Sequence, residues 1–534
     1  MAEGTPIRAA GTRTGEGGFV DTIQSLIVAF VLAMMFRGFV VEGFVIPTGS
    51  MAPTLLGEHW LVRSIQTGTE VPVGLDGSGR SRPEPSRLED HALGRGQPLD
   101  GAGVLRRRLG DRILVCKYIW PFFQPDRFDV AVFKNPTLPD GPSANYIKRV
   151  VGLPNETLWI VDGDIFVKAA GEDEFIVQRK PAHVQRESWQ EVWTSTSLPV
   201  APERRTRRWS GPPWLGSPSA AWELGPHGAW RKPGDGTAVL IWDGDRYPID
   251  DWSDYNMISP MGQRGLTPVR DIRLNFTMTP EQPGFETTFQ LVADSHVFQF
   301  RIEEGSAEVS MWPVGDPSSA EQRIVGIDSV QAGRASAIVF QRMDQSMSIS
   351  INGKEVVGLQ WNWTPLERLA YTGGKGTEST STRVLLDAAS RPTPPELTWS
   401  FQGPVTLSRI GVHRDLFYQR PVLNQRSMKN APIAGQEALV QPGTPGYGTH
   451  PDKLAVLGPG EYFVLGDNTA RSLDSRLWGP PSPMVATQLN PHPFIVDRRL
   501  LIGKAWLVYF PAPHAPRKGG MGLIPDFGRI RFIR

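Results

Sequence analysis

Ser50 stands in the run Ile46-Pro47-Thr48-Gly49-Ser50-Met51-Ala52-Pro53-Thr54-Leu55, directly after an uninterrupted apolar segment, and farther on comes Tyr146-Ile147-Lys148-Arg149-Val150-Val151-Gly152. A serine hydroxyl is a poor nucleophile until a base takes its proton, and a lysine can be that base only if it is neutral near working pH. Its ordinary pKa of about 10.4 must then fall, which burial beside apolar side chains accomplishes. Tyr146, Ile147, Val150 and Val151 bracket Lys148 in the alternation of a strand with one buried face. Pro47 and Pro53 restrict the backbone around Ser50 and Gly49 permits a tight approach, so the hydroxyl can sit on a rigid turn. Singly, each motif has a plainer reading: a proline-rich connector, and a solvated Lys-Arg pair on an edge strand. Together they point to a Ser/Lys peptidase.

Three further runs keep a fixed order: Gly110-Asp111-Arg112-Ile113-Leu114-Val115, Gly466-Asp467-Asn468, and Ser472-Leu473-Asp474-Ser475-Arg476-Leu477-Trp478-Gly479. With them the chain resembles the bacterial type I signal peptidases (leader peptidases), which remove signal peptides from exported proteins. The resemblance covers roughly residues 19–63, 108–168 and 455–511, and Leu501-Ile502-Gly503-Lys504-Ala505 is similar to that family's last catalytic strand. It implies that Ser50 is the nucleophile and Lys148 the general base, with the Ser50 N–H and the Thr48 hydroxyl as oxyanion donors. It also implies that Ser472 orients the lysine, and that Asp467, Asp474, Arg149 and Arg476 form buttressing ion pairs. Small neutral residues at the first and third positions before the cut would enter shallow apolar pockets, with Ile46, Met51, Leu55 and Ile147 at pocket-lining positions. Each of those four also reads as an ordinary core residue. The chain departs from the family at Thr469-Ala470-Arg471, inside a loop dense in short polar side chains that bond their own backbone.

Thr22 to Phe36 carries no charge, and apolar residues resume after Arg37 at Phe39-Val40-Val41. Crossing about 30 Å of hydrocarbon takes about 20 helical residues, so a transmembrane anchor over 19–41 needs its flanks. A cleavable signal peptide is the rival reading, but no small-x-small site follows. Arg8 and Arg13 lean towards a cytoplasmic N-terminus. The resemblance implies the same: a single-pass protein of the bacterial inner membrane, with its catalytic domain extracytoplasmic and lipid as a partner.

The chain has 534 residues, enough for two to four domains. Its 56 basic and 55 acidic residues create no global field for nucleic acid, which is excluded as a partner. Cys116 is the only cysteine, so neither an internal disulfide nor a cysteine metal site can form. The nine histidines show no paired helical spacing, so no metal and no cofactor is expected.

The divisions expected are a tail (1–18), the anchor (19–41), and three catalytic segments (42–63, 108–180 and 427–534). A flexible Gly/Pro/Ser/Arg-rich insertion (64–107) and a large insert (181–426) separate these segments. In the insert, Ile272-Leu274-Phe276-Met278, Phe298-Phe300-Ile302 and Met347-Ile349-Ile351 alternate, the last before the hairpin dipeptide Asn352-Gly353. The fold class expected is mainly β: an anchor helix, an antiparallel β catalytic domain of signal-peptidase type, and an inserted β-sandwich loosely similar to concanavalin-type lectins. Trp189, Trp193, Trp209, Trp214, Trp222, Trp230, Trp242 and Trp252 could form a sugar-stacking or membrane-interface surface, though core packing is the commoner use. Pro481 to Pro493 reads as a small insertion at the rim of the site.

The sequence thus reads as a membrane-bound serine endopeptidase acting on signal peptides. One rival is a soluble, self-cleaving regulatory Ser/Lys peptidase; another is an anchored protein whose insert binds glycan, cell wall or a protein ligand on a peptidase scaffold.

Overall fold

The computed structural model describes residues 17–75, 88–96, 106–117, 119–120, 122–197, 211–225, 228–258, 266–375, 381–425, 428–514 and 523–534. Strands dominate, as the alternating apolar runs require. The sheet beneath the candidate site is antiparallel throughout and orders its strands Val41–Val45, Arg112–Lys117, Leu501–Phe510, Val130–Lys134, Asn145–Gly152, Glu461–Leu465 and Val496–Asp497. Arg531–Phe532 adds to Leu501–Phe510. Three stretches far apart in sequence therefore share one hydrogen-bonded surface. Val130 to Phe133 is buried on both faces, with Val130 and Val132 packing under Ile46, Met51 and Leu55, and Ala131 and Phe133 against Val464 and Trp478.

Two small sheets flank it. One runs Ile176–Val177, Asp164–Ala169, Glu156–Val161, Ala455–Val456; the other runs Glu70–Gly74, His59–Arg63, Arg106–Arg108. The expected flexible insertion is thus partly ordered: Glu70–Gly74 pairs with His59–Arg63, and Leu88 is buried with Val62, Val73 and Met257. The polar run Gly77 to Pro83 lies outside the described residues.

The chain from Gln190 to Arg414 folds into two antiparallel sheets, an eight-stranded one and a seven-stranded one, around a single apolar core. Ile272–Pro280 alternates buried and half-buried side chains along its whole length, so the period of two seen in the sequence is a real inner face. Asn352 (φ 51°) and Gly353 (φ 83°) turn Ser346–Ile351 into Lys354–Gln360, the two left-handed residues that a tight primed turn requires. Trp193, Trp214, Trp222, Trp230 and Trp242 are buried in this core, where Trp214 meets Trp242 and Trp399 edge-on. These five rings are not a binding surface, because the space between two sheets is filled most fully by large aromatic side chains. Trp189 and Trp252 are half-buried, and Trp209 lies outside the described residues.

A helix spans Gly17–Phe39 and hands over to the strand Val41–Val45. The expected span to residue 41 ends earlier, because Val41 pairs with Cys116. Among the described residues no helix is long and apolar enough to cross a membrane. The contiguous described side chains run from 19 to 35, about 25 Å at 1.5 Å per residue against about 30 Å of hydrocarbon. Arg8, Arg13 and the side chain of Arg37 lie outside the described residues.

A buried ion network fastens the hairpin Glu156–Ala169 to the sandwich. Asp294 accepts from Arg368 at 2.5 Å, lies 2.7 Å from Arg270 Nε as an ion pair and also pairs with Arg342, while Asp162 pairs with Arg270 and lies 3.0 Å from Arg368. Lys180 bridges Asp344 and Asp415 at 2.6 and 2.7 Å. Carboxylate oxygens of Asp164, Asp271 and Asp344 also gather within 4.8 Å of one another, with Arg368, Arg342 and Lys180 as counter-charges. Burial would push the Asp294 carboxyl up, but Arg368, Arg270 and Arg342 together hold it well below the usual range. Removing one partner of a buried network strands the other charges. Asp294→Ala is therefore expected to destabilise the protein by about 3–5 kcal/mol, read as a lowered midpoint in chemical denaturation; an unmoved midpoint would show that the three arginines find other partners.

Candidate active site

The nucleophile turn is held from two sides. Gly110-Asp111 clamps it below: Ile46 N–H donates to Asp111 O (2.9 Å), Leu56 N–H to Asp111 Oδ2 (2.9 Å), and Asp111 N–H back to Leu56 O (2.8 Å). A Cβ on Gly110 would come within 1.7 Å of Ile46 O, and one on Gly57 within 2.3 Å of the Thr48 carbonyl carbon, so these close approaches exclude any side chain. From the other side Asn468 reaches in, its N–H donating to Ser50 O (3.1 Å) and its amide to Gly49 O (2.9 Å). A Cβ on Gly466 would meet Ser472 Oγ at 2.1 Å and Ser50 O at 2.5 Å.

Lys148 lies on the strand Asn145–Gly152 with Ala131 opposite in register. Its Nζ is 2.6 Å from Ser50 Oγ and donates to Ile147 O at 3.1 Å. The residue is 2% exposed. Burial lowers its pKa to about 8; Asp474 and Asp467 pull it back up and Arg476 pushes it down. Arg149 faces the other way. It grips Asp467 through Nε and Nη2 (2.9 and 2.6 Å), and its Nη1 donates to Phe128 O (2.9 Å) and to the Arg534 main-chain oxygen (3.0 Å). Arg476 likewise holds Asp474 at 2.9 and 2.8 Å, and Asp474 Oδ2 accepts from Gly466 N–H at 3.0 Å. Burial would raise the Asp474 carboxyl, but Arg476 outweighs it and the net shift is downward.

Ser472 is brought beside this pair rather than onto the lysine. Its buried Oγ lies against the Asp474 carboxylate and helps hold that carboxyl low, while the hydrogen bonds of Lys148 Nζ go to Ser50 Oγ and Ile147 O. Thr48 is exposed on the cleft lip. The cleft has a volume of about 560 Å³. Of the four expected lining residues, Ile46 and Ile147 face it, whereas Met51 and Leu55 are wholly buried in the core beneath. The sequence could not separate the two pairs, since both read as apolar. Residues 481–493 do not line the cleft; the helix Pro483–Gln488 lies elsewhere, with Met484 beside Gly141.

Three contributors carry little or no signal in the sequence. Asn468 was visible in Gly466-Asp467-Asn468 without an assigned task. Tyr255 and Asn256 carry no local signal at all, being a loop of the sandwich region. His59 is buried with Nδ1 2.8 Å from Gly57 O, and burial lowers its pKa to about 4, which leaves it a packing residue rather than a base.

A profile of the family described as "Signal peptidase, peptidase S26" matches residues 19–199 and 417–492. Signal peptidase I of Pseudomonas fluorescens is 27% identical over 164 residues, 30% of this chain and 42% of that protein. Signal peptidase I of Pseudomonas aeruginosa is 31% identical over 140 residues, 26% of this chain and 34% of that protein. The match thus spans less than half the length of either relative. Among solved structures, the carbohydrate binding module CBM66 from Bacillus subtilis overlaps 36% of this chain and 89% of its own at 5% identity, with a TM-score of 0.21, too slight to carry an argument. Over the stretches 19–199 and 417–492, motif order and these matches make the chain similar to the signal peptidase family, peptidase S26.

Proposed function

We propose that the protein is a membrane-bound serine endopeptidase that removes signal peptides from exported preproteins. The observation that carries this reading is the 2.6 Å contact between Ser50 Oγ and a buried Lys148 whose pKa is lowered to about 8. Ser50 Oγ attacks the scissile carbonyl carbon as its proton passes to Lys148 Nζ. The oxyanion is met by the Ser50 N–H and the Thr48 hydroxyl. Collapse breaks the C–N bond, and Lys148 returns the proton to the leaving amine, leaving an ester on Ser50. Water then attacks the ester while Lys148 takes its proton, and cleavage of the C–O bond restores Ser50. Arg149–Asp467 and Arg476–Asp474 brace the strand and loop that hold the lysine, and Ser472, beside the Asp474 carboxylate, acts on it through that pair. Ile46 and Ile147 shape the pocket for small residues before the cut. The catalytic part is 42–63, 108–180 and 427–534, with 181–426 inserted.

Attachment through the segment 19–41, N-terminus cytoplasmic, is part of the same proposal. It is supported by the exposed apolar side chains of the helix, and by exposed Trp506, Tyr509 and Phe532 on the strands that continue its sheet. Nucleophile and anchor are then close neighbours along the chain, which suits a substrate that is itself embedded in lipid.

Ser50→Ala and Lys148→Ala should each abolish cleavage of a purified preprotein in detergent, while the wild type cuts after a small-x-small pattern shown by sequencing the new N-terminus. A folded but inactive wild type would overturn the reading. Activity should rise with pH to a midpoint near 8, since only neutral Lys148 accepts the proton; a flat profile with chemistry rate-limiting would count against the lysine.

The same shift predicts stability. Because the folded pKa (about 8) lies below the ordinary 10.5, the unfolded chain binds more protons between those values, and folding strengthens as pH rises through that window. Relative to Lys148→Met, the wild type should gain about 3 kcal/mol between pH 8 and 10.5, measured by denaturation at each pH.

A further inference from the structure

The loop Ser253–Met257 leaves the sandwich between the strands Thr237–Trp242 and Ile272–Pro280 and ends inside the catalytic cleft. Met257 anchors it, buried with Val62, Val73 and Leu88. Tyr255 is 4% exposed, and its ring packs closely against two glycines. A Cβ on Gly49 would stand 2.0 Å from Tyr255 Cε1, and one on Gly74 would stand 2.4 Å away. Its hydroxyl donates to Glu58 O at 3.2 Å, which fixes the ring as one wall of the cleft beside Ser50. Asn256, also buried, exchanges two hydrogen bonds with Asn468: Asn256 Nδ2 to Asn468 Oδ1 at 2.7 Å and Asn468 Nδ2 to Asn256 Oδ1 at 2.9 Å. That same Asn468 amide bonds Gly49 O, and its backbone N–H bonds Ser50 O.

We infer that the sandwich region completes the active site: Tyr255 determines the size of substrate side chain accepted beside the nucleophile, and Asn256 is a positioning residue that holds the Ser50 turn through Asn468. This rests on the peptidase reading for the identity of the substrate. The chemistry is direct. Gly49 has no side chain, so the space beside the nucleophile is bounded by whatever packs on it, and the Tyr255 ring packs there. An amide pair with both ends satisfied fixes Asn468 in one orientation, and a misoriented Asn468 would release the Gly49 and Ser50 carbonyls together. A displacement of about 1 Å at a nucleophile can reduce rate by about 100-fold.

The test compares cleavage of preproteins carrying alanine or leucine at the residue before the cut. In Tyr255→Ala, kcat/KM for the leucine substrate should rise about tenfold relative to the alanine substrate, while Tyr255→Phe, which keeps the ring, should keep the wild-type preference. Tyr255→Leu serves if the alanine variant does not fold. Asn256→Ala should lower kcat about tenfold with KM unchanged, and Asn256→Gln, which keeps a neutral amide able to pair with Asn468, should recover most of the loss. A preference unmoved in both Tyr255→Ala and Tyr255→Leu, or a loss in Asn256→Ala that appears only as a lower melting temperature, would overturn the inference. A readout independent of peptidase activity separates it from the reading it rests on. In a Ser50→Cys background, Tyr255→Ala should speed alkylation by a bulky maleimide more than by iodoacetamide. An unchanged ratio refutes the wall, whereas an inactive wild type with a changed ratio refutes only the peptidase reading.

Discussion

An ammonium stripped of water is the condition on which the rest of this site depends. Lys148 can be neutral near pH 8 only because the strand Asn145–Gly152 is covered on both sides, and the same burial brings Nζ to 2.6 Å from Ser50 Oγ. Covering that strand takes three stretches of chain: the nucleophile turn, the paired strand Val130–Lys134, and the loop from Gly466 to Trp478. The last of these brings charge near the lysine. Asp467 and Asp474 would raise its pKa if they were unopposed, and Arg149 and Arg476 hold their carboxylates in bidentate grips. The ion pairs therefore let carboxylates sit near the lysine without returning it to the charged state, which is a more specific task than bracing.

Glycine is the second constraint. Gly49, Gly57, Gly110 and Gly466 all sit where a Cβ would collide with backbone or a fixed side chain within 2.5 Å. Their φ values are not what demands them; the absence of a side chain is. This crowding packs the nucleophile turn against Asp111, Asn468 and Tyr255, and each of those contacts comes from a different part of the chain.

The sandwich region is tied to the catalytic sheets at two places of different kind. At the hairpin Glu156–Ala169 the tie is a buried network in which Asp162 and Asp294 share arginines. At the cleft it is the Asn256–Asn468 amide pair and the Tyr255 ring. The first fixes orientation through strong, directional, desolvated charge pairs. The second delivers neutral groups to a place where another charge would disturb the lysine. The sandwich tryptophans meanwhile fill the space between two sheets, which explains why five of the eight are buried.

Ser50, Lys148, the order of the five motifs, the period-two strands and the Asn352-Gly353 turn were all legible in the sequence, because each is a short-range property. Backbone restriction at Pro47 and Pro53, alternation around Lys148, and left-handed φ at Asn-Gly act within a few residues. Ordering of Glu70–Gly74 was missed because its pairing partner supplies the reason, and Met51 and Leu55 were placed in the cleft because burial beneath a turn and burial beside it look alike in one dimension. What only the tertiary structure decided is which distant groups share the dry space around the lysine. Asn256 meets Asn468 across 212 residues of chain, and Arg149 meets Asp467 across 318. Desolvation is a property of the closed assembly of strands, to which no single segment contributes more than a part, so the residue types fixed the chemistry available and the packing decided where it is used.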